Sequence, residues 1–273
     1  MPETEHWRKY NLKQLAFIGL GNMGRAIASG IVKSGAVAAE NVYGYAPHWD
    51  KLSAYARETG IQPCRSALEA VEQADTVLIA VKPYVIEGVL AELKDALKGK
   101  ALLSVALGYD FDRLSALLDN STRIQFIMPN TPAMVGAGVL LFEQKNSLED
   151  AERAQILSVF SALGAVKELP SHLMGIGGAI SGCGPAFCAL VIEALADAGV
   201  KYGLPRDAAY LLASQTLSGT GRMQIETGMH PGAIKDGVCS PAGTTIRGVE
   251  ALERAGLRAA MLDAVQAVME KKA

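Results

Sequence analysis

The stretch QLAFIGLGNMGRAIASGIVKSG, residues 14–35, decides how this chain folds. Residues 14–18 form an apolar run that suits a buried strand. Gly19, Gly21 and Gly24 follow in the spacing G-x-G-x-x-G. Ile27 and Ile31 then recur four residues apart, as on one face of a helix, and Gly35 offers its stop. In a strand–turn–helix unit each glycine has a mechanical task. The first allows a tight turn, the second lets a pyrophosphate reach the backbone, and the third lets helix pack on strand. The helix N-terminus adds free N–H groups and a partial positive charge for the phosphates. A dinucleotide-binding turn is the expectation.

The pattern repeats outward. Apolar runs at 41–45, 75–81, 101–107 and 123–128 alternate with helical stretches. Such alternation predicts βαβ units and a right-handed parallel sheet. Residues 138–142 read as an added edge strand and 165–169 as a last one. Between them lies a helix with Ser147 as its cap and Gly164 as its stop. After Pro170 strand signals fade and four helical segments follow. The fold class is thus α/β: an N-terminal Rossmann-like dinucleotide-binding domain (1–170) and an all-helical C-terminal domain (171–273).

Composition narrows the function. The chain has 273 residues, half of them apolar and a fifth charged, with a net charge of −2. That suits a soluble globular protein, and no basic block points to nucleic acid. The polar N-terminus, MPETEHWRKYNLKQ, lacks the apolar core of a signal peptide. The stretch GPAFCALVIEALADAGV (184–200), broken by Glu193 and Asp197, falls short of a membrane span and reads as a buried helix. Cys64, Cys183, Cys188 and Cys239 form no C-x-x-C pair and no metal-ligand spacing. Buried reduced thiols in a cytoplasmic protein, with no metal, are expected.

Strand ends carry the remaining chemistry, because open α/β sheets bind ligands outside the carboxyl ends of their strands. An NAD site usually has an acid at the end of the second strand; residues 42–49 contain none, and Asp50 is the first. Arg25, His48 and Lys51 can approach a 2′-phosphate, so NADPH is favoured, with NADH as the alternative. The ends AVKP (80–83) and MPN (128–130) point to Lys82 and Pro83 on the cofactor side. Asn130 either bonds a carboxamide or starts a turn. In the second domain, Ser240 and the N–H groups of Gly243, Thr244 and Thr245 can form a nest for a carboxylate. The plain alternative is that Thr244 or Thr245 caps the next helix. His172 and His230 sit in turn-like sequence, and no Ser/His/Asp set stands out. Hydride delivery to a protonated imine needs positioning more than proton transfer.

These segments resemble the pyrroline-5-carboxylate reductase family. The resemblance spans about 14–270 and rests on FIGLGNMGRAI, AVKP, MPNTPAMVGAG, SGCGPAF, EALADAGV and HPGAIKDGVCSPAGTTIRGVEALERAG. It implies NAD(P)H-dependent reduction of the ring imine of 1-pyrroline-5-carboxylate to L-proline, and a helical domain that forms a homodimer or larger homo-oligomer. It places Ile18, Gly19, Leu20, Gly21, Asn22 and Met23 on the pyrophosphate and Ala80, Val81 and Lys82 along the cofactor. Ser240, Gly243, Thr244 and Thr245 would hold the substrate carboxylate, with Thr245 near the imine nitrogen as the catalytic residue. Asp236 and Val238 would lie beside them. The chain departs from the family pattern at Phe126, Cys183, Ala242 and Leu107. Two other readings remain: a β-hydroxyacid-type dehydrogenase, which would want a Lys within 185–200, and a nucleotide-binding regulator, which would not need SPAGTT.

Overall fold

The structure is a computed structural model that describes residues 12–270. The reading of the N-terminal segment falls largely on residues 1–11, and the expected end of the last helix at Lys271 and Lys272; both lie outside the described residues. The chain divides into two compact units, the first ending at Gly182 and the second starting at Cys183.

The first unit is a doubly wound sheet. Its strands are β1 (Leu15–Ile18), β2 (Val42–Tyr45), β3 (Gln62–Pro63), β4 (Thr76–Ile79), β5 (Ala101–Ser104), β6 (Arg123–Pro129), β7 (Gly138–Glu143) and β8 (Gly164–Leu169). They lie in the order β3-β2-β1-β4-β5-β6-β7-β8. From β3 to β6 all pairs are parallel; β7 runs antiparallel to β6, and β8 parallel to β7. The strand order reverses direction between β1 and β4, which opens the crevice where such sheets take ligands.

Alternate residues of β1 feed two cores. Leu15 and Phe17 join Ile27, Ile31, Leu78, Phe142 and Phe160 on one face. Ala16 and Ile18 join Val77, Ile79, Leu102 and Ile124 on the other. Burial on both faces explains why these strands are near-continuous apolar runs rather than alternating ones. Helices α1 (Asn22–Ser34), α2 (Trp49–Thr59), α3 (Ala67–Glu72), α4 (Ile86–Leu93), α5 (Phe111–Leu117), α6 (Asp150–Ser161) and α7 (Ser171–Ser181) cover the sheet. Gly35 and Gly60 end α1 and α2 in the left-handed conformation, as their positions predict.

Three expectations are corrected. β7 is not an edge strand: β8 covers it, and four of its last five residues are buried. Ser147 does not cap α6; its Oγ accepts the Ile124 N–H at 2.8 Å and so ties the segment before α6 to β6. Glu149 takes the cap position. Gly164 does not stop α6 but opens β8, where an added Cβ would come within 2.0 Å of the Gly138 carbonyl. The compact units divide at Gly182, so α7, which follows the boundary read at 170, stays with the first of them. Helix α7 belongs to the sheet because its Gly177 lies against Leu141 and Leu169 and its Gly178 against Met128.

The second unit is helical throughout: α8 (Gly184–Lys201), α9 (Arg206–Thr227), α10 (Pro231–Val238), α11 (Thr244–Arg254) and α12 (Leu257–Met269). Gly199 on α8 packs closely on Leu204 and on Ala209 of α9. Asp197 and Arg206 pair at 2.5 Å across the same two helices. Helix α8 is not the buried helix its composition suggests. Ala196 is its only buried residue, and Leu190 is 65% exposed. The apolar residues that would bury it do not come from within its own unit.

Candidate active site

The glycine turn is built as its spacing requires. Gly19 follows β1 at φ +99°, and an added Cβ would stand 2.7 Å from the Ala80 carbonyl at the end of β4. A Cβ on Gly24 would stand 2.1 Å from the Gly19 carbonyl. Both glycines therefore let backbone meet backbone. Gly21 differs: a Cβ there would meet nothing within 4 Å. It occupies the N-cap of α1, with no side chain bonding the first N–H groups. An open space above unpartnered helix donors is what a pyrophosphate needs, so the turn fits a dinucleotide.

Within residues 18–24 the chain divides the work. Ile18 is buried, and its carbonyl accepts the Ala80 N–H at 2.8 Å; its part is to fix β1 against β4. Leu20 is buried beside Gly44. Gly21 and Asn22 are exposed, and Met23 is half-buried. At the end of β4, Ala80 and Val81 are half-buried, whereas Lys82 and Pro83 are exposed at the start of a short 3-10 turn, Pro83–Val85. After β5, Leu107 is exposed while Tyr109 is buried, its hydroxyl donating to Glu87 at 2.8 Å. Arg113 bonds the same carboxylate at 2.8 Å and stacks over the Tyr109 ring at 3.8 Å. The Arg113 guanidinium, helped by the Tyr109 hydroxyl, holds the Glu87 carboxyl below its usual range.

Asn130 begins the turn after β6, and its side chain bonds within the protein. Its Oδ1 accepts the Val139 N–H at 2.8 Å and its Nδ2 donates to the Ser181 carbonyl at 2.9 Å. It clamps β6, β7 and the end of α7 together. Asn130→Ala leaves two half-buried backbone groups without their partner and should cost about 1–3 kcal/mol. A urea melt should show that loss, with NADPH affinity unchanged.

The second unit carries the other candidate loop. His230 caps α10, its Nδ1 accepting the Gly232 N–H at 3.1 Å, which gives that histidine a structural task. After α10, Ser240 to Gly243 make a tight turn closed by Gly243 N–H to Ser240 O at 3.0 Å. A Cβ on Gly243 would fall 2.4 Å from Ser240 Oγ, so the Ser240 side chain lies directly against the start of α11. Ala242 holds φ +59°, the only positive φ at a non-glycine among the described residues. That conformation costs an L-residue roughly 1–2 kcal/mol. Gly243, not a threonine, occupies the N-cap, and no side chain bonds the first turn. Thr244 and Thr245 are its first two residues and are exposed. No acid stands in that turn. Ser240 Oγ thus lies against a helix start whose first N–H groups have no side-chain partner and whose first two residues are threonines, a set suited to a carboxylate.

The two parts match two family profiles. Residues 14–108 match one described as NADP oxidoreductase, coenzyme F420-dependent, and residues 171–273 match pyrroline-5-carboxylate reductase dimerisation. The latter starts at the boundary read from sequence, before α7, rather than at the break between compact units. A pyrroline-5-carboxylate reductase of Treponema pallidum (strain Nichols) is 42% identical over 259 residues, covering 93% of this chain and 98% of that protein. The chain belongs to the pyrroline-5-carboxylate reductase family. The Escherichia coli (strain K12) reductase is 40% identical, over 95% of this chain and 97% of its own. The crystal structure of the Plasmodium falciparum reductase with NADP bound superposes with a TM-score of 0.85 at 33% identity, covering 94% of this chain and 96% of that one. Membership accounts for both units: a Rossmann-like nucleotide domain and a helical dimerisation domain. It also sets aside the β-hydroxyacid dehydrogenase reading, whose central-helix lysine α8 lacks until Lys201 at its end.

Sequence reasoning missed several features around these sites. Helix α10 is not among the four helical segments expected after Pro170, although Pro231 at its first position behind His230 is a start signal. Helix α3 has a capping pair, Ser66 and Glu69, in plain view: Ser66 Oγ accepts the Glu69 N–H at 3.0 Å. Of the four cysteines only Cys64 is buried. Burial, with the Glu69 carboxylate nearby, pushes its thiol up to about 11.

Proposed function

We propose that this protein reduces 1-pyrroline-5-carboxylate to L-proline with NADPH, the last step of proline synthesis, and that NADH is a poorer donor. The observation that carries the reading is the start of α11, where exposed Thr244 and Thr245 follow Gly243 with no acid and no side-chain cap. The substrate is a small cyclic imine bearing a carboxylate. Ser240, Gly243 and Thr244 hold that carboxylate, and Thr245 directs its hydroxyl toward the ring nitrogen. When bound at the glycine turn, NADPH supplies the hydride. Gly21 and Asn22 receive its pyrophosphate, and Ala80, Val81, Lys82 and Pro83 border it at the end of β4. No general acid is required if the imine arrives protonated; the residues orient it and hold its charge.

The apolar surface of α8 is covered by a second copy of the chain. The stretch Ser171–Lys201 is long and apolar enough to cross a membrane, at a mean hydropathy of 1.7. It is broken between α7 and α8, however, and carries Glu193 and Asp197 on α8. A homo-oligomer built from dimers fits the dimerisation profile and that broken helix. Four free cysteines suit the reducing cytoplasm.

The test is absorbance at the nicotinamide band when purified protein, NADPH and 1-pyrroline-5-carboxylate are mixed. Loss that needs both protein and imine supports the reductase. No loss, with NADPH still bound, leaves a nucleotide-binding regulator.

A further inference from the structure

The sequence leaves open which cation meets the 2′-phosphate, and the fold removes the first candidate. The Arg25 guanidinium is engaged within the protein: Nε donates to the Leu20 carbonyl at 3.0 Å and Nη2 to the Lys51 carbonyl at 3.3 Å. It also stacks over Tyr55 at 5.0 Å. Another arginine, not visible as a candidate in the sequence, arrives through β3. This strand pairs in parallel with β2, and the Cys64 N–H donates to the Gly44 carbonyl at 2.8 Å. Arg65 therefore emerges at the carboxyl edge of β2, on the side of β1 away from β4. Its guanidinium carbon sits 3.4 Å over the ring of Trp49, the first residue of α2.

Three further facts define this position. The backbone under Arg65 is fixed, because Glu69 Oε2 accepts the Arg65 N–H at 2.6 Å while Ser66 caps α3. Among the described residues the Arg65 side chain makes no ion pair and no hydrogen bond, so its planar fork stays available. The loop between β2 and α2, Ala46 to His48, carries no acid to claim it or to hold a ribose 2′-OH. Stacking on an indole orders a guanidinium face and leaves its edge for a bidentate anion, which a flexible lysine such as Lys51 cannot match.

We propose that Arg65, held flat on Trp49, is the residue that selects the 2′-phosphate and so sets NADPH above NADH. This rests on the cofactor-turn reading given above. Arg65 contacts the cofactor away from the reacting atoms, and its effect lies in affinity rather than in turnover at saturating cofactor.

The experiment is a set of binding titrations on the full-length protein and on Arg65→Ala and Arg65→Lys, with NADPH, NADH and 2′,5′-ADP as ligands. Arg65→Ala should weaken NADPH and 2′,5′-ADP about 10- to 100-fold, the loss of a charge-assisted pair. NADH should change no more than about twofold on the same scale, which also shows that the variant is folded. Arg65→Lys should recover part of the loss, since it restores charge without the stacked fork. Equal weakening of NADPH and NADH would mean that Arg65 only props Trp49, and unchanged NADPH affinity would mean that the phosphate binds elsewhere. Either result overturns the assignment while leaving the reductase reading intact. Absence of NADPH and NADH binding in the unaltered protein would overturn both.

Discussion

Thr245→Val is expected to lower turnover about 100-fold, the usual scale for removing one group that stabilises developing charge, while the dissociation constant for NADPH stays within about twofold. Valine keeps the shape and β-branching of threonine and removes only the hydroxyl. At the second position of α11 that hydroxyl makes no cap bond and is exposed, so the helix does not depend on it. The glycine turn belongs to the other compact unit and is not altered. Stopped-flow measurement of hydride transfer and fluorescence titration of NADPH separate the two effects. A parallel fall in both would make the Ser240–Thr245 loop structural and withdraw Thr245 from the site.

The contrast between Thr245 and Asn130 shows what can be read from sequence around a site. The loop at 239–245 offers two readings because small residues before a helix have few uses: a cap or an anion nest. The structure gives the cap to Gly243, so neither threonine is spent on it. Asn130 was equally polar and equally well placed at a strand end, yet both its polar atoms point to Val139 and Ser181. Those partners lie 9 and 51 residues away. No local pattern encodes a clamp of that reach.

The same reasoning separates the elements that were read from those that were not. The strands of the parallel sheet are buried on both faces, so each announces itself as an apolar run. β3 has two residues, one of them proline, and exists only because Tyr43 and Gly44 pair with it. Helix α7 carries three glycines in eleven residues, SHLMGIGGAIS, and is held by the sheet beneath it rather than by propensity. Helix α8 was legible as a helix but not as an exposed one. Apolar composition records that a face is covered and does not record by which molecule. Arg65 was invisible for a related reason, since nothing near it in sequence reveals that β3 will lay it on Trp49.

Gly21→Val and Gly24→Val should fail in opposite ways. At Gly24 a Cβ would overlap the Gly19 carbonyl, 2.1 Å away, and crowd Ala80 at 3.3 Å. Backbone cannot yield as a flexible side chain can, so the first βα turn must open and the unit should lose several kcal/mol, as in other overpacked cores. At Gly21 the backbone, φ −76° and ψ −163°, is open to any residue, and the added side chain meets no protein atom within 4 Å. Gly21→Val should therefore fold, at a cost of about 1 kcal/mol for a poorer N-cap. Its isopropyl group nevertheless fills the space that the pyrophosphate must enter and stands over the donors of α1. NADPH affinity should fall by at least about 100-fold, the loss of several charge-assisted hydrogen bonds. Calorimetric titration beside a thermal melt reads both quantities. A Gly21→Val protein that binds NADPH like the parent would show that the dinucleotide does not lie across this turn, because only an occupant of that open space can feel a side chain that touches nothing else.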